Sequence, residues 1–297
     1  MTDIARLSRL HAALMTPYDA DGEISEPCLR NLIAHVRRQG IDGFYVGGST
    51  GEALLQTTEE RLRVLSIVAE NAGDAARIGQ VGAISTREAV RLAKGCAELG
   101  YDAVSAIPPI YFPHGKDAII GYYSDILEAA GGLPLIIYNI PAMSGVTFTP
   151  DDLRRLLDMP NVIGIKQTSI DMYQMEQLRR AFPDALLLNG YDEMLLAGTV
   201  AGANGGVGST YNVIGSNYVE MIAALRRGEI EAAQMLQAKS NALIDVLVEV
   251  GVFPGLKYLL YRLGVIQTPV CRKPLATLSS STSERLNAAV AGLTAWA

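Results

Sequence analysis

Eight short apolar runs, each leading into a stretch of helical periodicity, constrain this chain more than any other feature. The runs are His11–Met15, Gly43–Val46, Arg77–Val81, Ala103–Ile107, Leu133–Tyr138, Val162–Lys166, Leu186–Asn189 and Asn204–Gly208, about 19 to 35 residues apart. Runs of this length with little polar alternation read as strands buried on both faces of a parallel sheet. Strands alternating with helices build βαβ units, and eight units in roughly 250 residues close into a (β/α)8 barrel. An open doubly wound sheet is the structural rival. It wants a glycine-rich phosphate turn after the first strand, and Ala13-Leu-Met-Thr-Pro17 is not one.

The expected architecture is therefore α/β: a (β/α)8 TIM barrel over residues 1–227 and a C-terminal helical extension over 228–297. Helix ends are spelled locally. Gly40 and Gly100 are C-terminal stops, Thr57-Thr-Glu-Glu60 is a capping box, and Thr149-Pro150 is a cap followed by proline at the first helical position. The extension reads as three helices, Glu229–Val250, Leu256–Leu263 and Ser283–Ala297, the last opened by a capping-box spelling at Ser281-Thr-Ser-Glu284. Such a tail most simply packs on the outside of the barrel or serves subunit contacts.

Composition excludes several function classes. A chain of 297 residues, 49% hydrophobic and 19% charged, can bury a large core. Its formal charge of -6 argues against nucleic-acid or anionic-membrane partners. Cys28, Cys96 and Cys271 are too few and too scattered for a disulfide framework or a metal site. The N-terminus has no apolar segment long enough for a signal peptide, and no run approaches the ~18 residues of a membrane span. A soluble, cytoplasmic protein is expected.

Catalytic groups of a barrel come from the C-terminal strand ends and the loops beyond them. Here those are Thr16, Gly47–Gly51, Pro108–Tyr111, Tyr138–Ile140, Lys166–Ser169, Asn189–Glu193 and Ser209–Tyr211. Lys166 closes a buried strand, where an ammonium loses water and the neutral amine is favoured. Such an amine can form a Schiff base with a carbonyl; the plain alternative is a lysine whose stem packs while its head reaches water. Tyr138 ends the neighbouring strand, where a phenol can shuttle a proton or merely pack. Gly47-Gly-Ser-Thr-Gly51 offers backbone N–H groups and two hydroxyls for a small carboxylate, or is a flexible turn. Gly205-Gly-Val-Gly-Ser-Thr210 suggests a phosphate loop but has Tyr211 where the dinucleotide pattern needs its third glycine. His11, His35 and His114 form no metal-binding pair, so no metal and no dissociable cofactor is expected.

Three motifs then converge on a family. Gly47-Gly-Ser-Thr-Gly-Glu52, Tyr138-Asn-Ile-Pro141 and Ile165-Lys-Gln-Thr-Ser169 resemble the pyruvate-dependent class I aldolases of the dihydrodipicolinate synthase / N-acetylneuraminate lyase superfamily. Tyr173-Gln-Met-Glu-Gln177, Asn189-Gly-Tyr-Asp-Glu193 and Gly205-Gly-Val-Gly-Ser-Thr-Tyr-Asn212 resemble its N-acetylneuraminate lyase branch, and the match runs from about His11 through Cys271-Arg-Lys-Pro274. The resemblance implies that Lys166 forms the Schiff base and that Tyr138 moves the proton. It implies that Ser49 and Thr50 hold the pyruvoyl carboxylate, with Ser49 hydrogen-bonded to the phenol. Tyr111 would reach into the site of a neighbouring subunit, in a homotetramer built as a dimer of dimers. Thr168, Gly190, Asp192, Glu193 and Ser209 would line the sugar tail, with Phe253 on the rim.

One position separates the branches. Dihydrodipicolinate synthases carry an arginine five residues after the tyrosine, and here Met143 stands in that place, so a second carboxylate would lose its bidentate partner. Asp192 and Glu193 suit a hydroxyl-rich substrate, since carboxylates accept several hydrogen bonds. Phe112 departs from the family in lacking an aromatic hydroxyl, and the Ser279–Ser283 stretch is unlike it too. The expected activity is cleavage of N-acetylneuraminate to N-acetylmannosamine and pyruvate. Its rivals are an aldolase for 2-keto-3-deoxy sugar acids or a dihydrodipicolinate synthase-like enzyme, a non-catalytic sugar-acid sensor on the same barrel, and a phosphate-binding barrel isomerase.

Overall fold

In the computed structural model, which describes residues 4–291, eight parallel strands close into a barrel in sequence order. The strands are β1 (Leu10–Ala13), β2 (Gly43–Val46), β3 (Ala76–Gln80), β4 (Ala103–Ala106), β5 (Leu135–Asn139), β6 (Val162–Gln167), β7 (Leu186–Asn189) and β8 (Gly205–Gly208). Each is followed by its helix: α1 (Glu26–Arg38), α2 (Thr58–Asn71), α3 (Thr86–Glu98), α4 (Lys116–Ala129), α5 (Pro150–Leu157), α6 (Met172–Ala181), α7 (Leu195–Val200) and α8 (Tyr211–Arg226). The extension adds α9 (Ile230–Val250), α10 (Val252–Arg262) and α11 (Ser280–Ala291). This is the expected TIM barrel with C-terminal helices. Among the described residues, no helix is long and apolar enough to cross a membrane, and no group of three His, Cys, Asp or Glu could hold a metal ion.

The strands are buried on both faces because they separate two apolar layers. Alanine, isoleucine and leucine side chains such as Ile78, Ile136 and Leu186 fill the barrel interior, while Phe44, Val104, Leu135 and Ile165 pack outward against the helices. Leu7, on a short turn of helix over Ile4–Leu7, closes the floor of the barrel. His11 also points into this floor. Burial lowers its pKa to about 4 and its Nε2 lies 2.9 Å from the Leu7 carbonyl, so it is a neutral core histidine.

The local punctuation holds at two helix starts. The Thr57 hydroxyl accepts from the Glu60 amide at 3.2 Å while the Glu60 carboxylate accepts from the Thr57 amide at 2.7 Å. Thr149 and Asp152 repeat the exchange ahead of Pro150. The last helix starts otherwise than its spelling predicts. Ser279, not Ser281, receives the Thr282 amide at 3.2 Å, and α11 begins at Ser280. Several serines in a row give the chain a choice of caps, and the helix that starts from the earlier one buries Leu286 completely. The part of that expected helix beyond Ala291 lies outside the described residues. One more start falls earlier than expected: α10 opens at Val252 rather than Leu256, placing Phe253 in its first turn. The helix α8 carries a kink at Ile214.

Candidate active site

The geometry of the mouth begins with an irregularity in β6. Leu135 pairs with Val162, but the next residue, Ile136, pairs with Gly164, so Ile163 is an extra residue in the ladder. A one-residue insertion turns every later side chain to the opposite face. Val162 and Ile165, three apart, accordingly both pack outward. Lys166 then turns inward, opposite Tyr138 on β5 and Leu188 on β7. Gly164 makes this passage possible, because a Cβ there would lie 1.9 Å from the Leu186 carbonyl oxygen.

Lys166 is 4% exposed, and its Nζ lies 3.8 Å from the Tyr138 ring centroid and 4.3 Å from that of Tyr45. The two rings meet edge to face at 5.9 Å. No carboxylate forms an ion pair with this nitrogen among the described residues. Tyr45 is a site residue that sequence reasoning passed over. It sits two residues before the Gly47 loop, in the inward register of β2, and donates a 3.0 Å hydrogen bond to Ser105. Burial pushes its phenol well above the ordinary range, so Tyr45 is a fixed wall beside the lysine.

Above the lysine opens a cavity of about 190 Å³, room for roughly six waters. It brings together Lys166, Tyr138, Ser49, Thr50, Thr168, Gly190, Asp192, Glu193, Ser209 and Phe253, and Met143 lies at its edge. Ser49 and Thr50 form a single 3₁₀ turn after Gly47, whose φ of 77° suits glycine. The expected bond between Ser49 and the Tyr138 phenol is not formed among the described residues. The hydroxyl pair that does form is Thr50 with Ser209, at 2.7 Å. The turn is anchored from behind: Glu52, at φ 59°, meets Lys257 at 2.5 Å and accepts from the Arg272 amide at 2.7 Å.

The wall next to Ser209 is polar. Asp192 receives the amide and hydroxyl of Thr210 at 2.7 and 2.6 Å, and Tyr218 donates in turn to Thr210 at 2.8 Å. Burial still wins over these bonds and lifts the Asp192 carboxyl to about 6. Gly190 leaves room for the Thr168 hydroxyl, which a Cβ would overlap at 1.9 Å. Tyr111 is the one expected site residue that stands apart. Its φ is 81°, its ring is 87% exposed and packs edge-on against Phe112. The extension departs from the simplest expectation: α9 and α10 supply Ile244, Leu247, Val248, Val252 and Phe253 to the cavity wall. Phe253 lies where the resemblance puts it; no motif marks the other four, and only the helical spacing of Ile244, Leu247 and Val248 along one face of α9 hints at a shared role.

Chemically, the arrangement places a primary amine, with no ion-paired carboxylate among the described residues, beside a phenol in a cavity lined by hydroxyls and carboxylates. Known proteins resemble this chain along nearly its whole length. The Dihydrodipicolinate synthetase family model matches residues 6–293. The chain is 48% identical over 271 residues to the N-acetylneuraminate lyase of Salmonella agona, covering 91% of each. It resembles the structure of the N-acetylneuraminate lyase from Fusobacterium nucleatum complexed with pyruvate, with a TM-score of 0.91, 36% identity and 98% of each chain covered. It also resembles a catalytic lysine mutant of the Ruminococcus gnavus sialic acid aldolase, with a TM-score of 0.94 and 29% identity over 98% of this chain and 97% of that one. With nearly its whole length matched by the family model and by close relatives, this chain belongs to the dihydrodipicolinate synthetase family of barrel enzymes.

Proposed function

We propose that this protein is a class I aldolase that cleaves N-acetylneuraminate to N-acetyl-D-mannosamine and pyruvate through a Schiff base on Lys166. The observation that carries the reading is the Lys166 amine in the cavity against the Tyr138 ring, with no carboxylate paired to it among the described residues. The Lys166 nitrogen adds to the C2 carbonyl of the open-chain keto acid, and the carbinolamine loses its hydroxyl as water. The resulting iminium accepts the electron pair of the C3–C4 bond while the C4 hydroxyl gives up its proton. N-acetylmannosamine leaves as the aldehyde, the enamine takes a proton at C3, and water releases pyruvate and the free amine. Tyr138 ferries the protons of these steps. Ser49, Thr50 and the amides of their turn receive the carboxylate, and no metal or dissociable cofactor is needed. Asp192, Glu193, Thr168, Gly190 and Ser209 receive the polyhydroxyl tail. Met143, in place of a basic residue, disfavours a second carboxylate. The exposed Tyr111 ring supports an assembly, a homotetramer, in which a neighbouring copy covers it.

The names of the curated relatives favour sialic acid over 2-keto-3-deoxy sugar acids. Incubation with pyruvate and borohydride is expected to leave a reduced adduct on Lys166, located by peptide mass spectrometry. Pyruvate release from N-acetylneuraminate, followed with a coupled dehydrogenase, is expected to exceed release from a 2-keto-3-deoxy sugar acid. An unmodified Lys166, or the reverse order of rates, overturns the assignment.

A further inference from the structure

The carboxylates of the polar wall sit on a single 3₁₀ turn, Asp192–Met194, a geometry with weak hydrogen bonds of its own. Its main chain is held from outside the barrel. Gln237, on α9, donates through Nε2 to the Asp192 carbonyl oxygen at 3.1 Å and accepts the Leu196 amide on Oε1 at 3.0 Å. One turn later Asn241 donates to the Glu193 carbonyl oxygen at 3.3 Å, and Gln237 and Asn241 are bonded to each other at 2.9 Å. Residues 237, 241, 244 and 248 recur at helical spacing, so one face of α9 carries this pair and then Ile244 and Val248 of the cavity wall.

Neither amide lines the cavity. Both grip the backbone of residues that do. Asp192 already commits Oδ2 to Thr210, which leaves its other oxygen for a ligand and makes the placement of the turn strict. We propose that Gln237 and Asn241 are positioning residues that fix Asp192 and Glu193 against long polyhydroxyl substrates, so that the extension helix rather than the barrel sets selectivity for the tail. The proposal rests on the assignment of Asp192 and Glu193 to the substrate tail. Lys166 stands on the neighbouring strand β6, and none of the clamp's hydrogen bonds reaches it.

The test compares N-acetylneuraminate with a short 4-hydroxy-2-oxo acid that has no tail, using Gln237→Met and Asn241→Asp, in which a charged acceptor oxygen replaces the donor to Glu193. Each variant is expected to raise KM for N-acetylneuraminate roughly tenfold, within the scale of misplaced binding groups. Expected kcat stays within about twofold, both constants for the short acid stay unchanged, and the borohydride-trapped pyruvate adduct on Lys166 forms as in the parent. Equal losses on both substrates, or no change on either, would overturn the clamp and leave the aldolase assignment standing. A parent protein that takes no adduct and cleaves neither acid overturns both. Where Gln237→Met does not fold, Asn241→Asp is judged by the same criteria.

Discussion

Two buried lysines, both set against aromatic rings, have opposite surroundings. Lys257, whose side chain is 0% exposed, lies 4.1 Å from the Tyr18 ring centroid, meets the Glu52 carboxylate at 2.5 Å and donates to the Val270 carbonyl at 2.8 Å. Burial holds it below the ordinary lysine range although Glu52 pulls the other way. Lys166 has the rings without the carboxylate, and a cavity in front of it. A nitrogen whose charge and hydrogens are matched by fixed partners has nothing left for a ligand. One facing a cavity without an anion is placed to react. The two are linked through the Gly47–Glu52 loop: Lys257 anchors Glu52 behind it, and Ser49 and Thr50 face the cavity from its front.

The contrast can be broken most directly at Lys166. Lys166→Ala is expected to abolish turnover, a loss of about 10⁶-fold or more on the scale of enzymatic acceleration, measured as pyruvate release, with the fold intact by circular dichroism. Tyr138→Phe comes next. Its kcat should fall by about 10²–10⁴-fold, the range for a lost general acid–base, while borohydride still traps pyruvate on Lys166. Normal turnover in that variant would remove Tyr138 from the proton relay.

Lys257→Met probes the other lysine. Removing one partner of a buried pair strands the Glu52 carboxylate and should cost about 3–5 kcal/mol of stability in denaturant unfolding. Adding Glu52→Gln should recover much of the loss, and whatever folds should still form the Lys166 adduct. A Lys257 variant that is stable but unable to form the adduct would dissolve the distinction between the two lysines.

The smallest expected effect is a pH dependence at Asp192, set by desolvation and opposed by the Thr210 bonds and Lys166. Its folded value of about 6 lies above the ordinary 3.8, so the folded protein binds this proton more tightly than the unfolded chain. The stability it contributes is complete below about pH 3.8 and is lost as pH rises through about 6. Asp192→Asn should therefore gain up to about 3 kcal/mol above that range and converge with the parent near pH 4. In the parent, KM for N-acetylneuraminate should fall over the same rise, since the ionised carboxylate accepts from hydroxyls. Parallel unfolding curves at all pH values would show that Asp192 titrates normally.

Much of this protein was legible in its residues. Eight apolar runs and the helices between them specify a closed parallel barrel, because backbone groups buried on both faces leave few other ways to pair. Glycine, threonine and proline punctuate most helices by local chemistry, and the motifs around Ser49, Tyr138 and Lys166 lie at strand ends that a barrel must bring to one mouth. Tertiary structure alone decided which way those side chains turn. Strict alternation from Val162 would send Lys166 to the outer face, and the extra residue Ile163 reverses it. Tertiary structure also replaced the expected Ser49–Tyr138 bond by Thr50–Ser209, moved the last cap to Ser279 and laid α9 across the Asp192 turn. These outcomes rest on contacts between segments far apart in the chain, where one added residue or a neighbour's carbonyl outweighs any local preference.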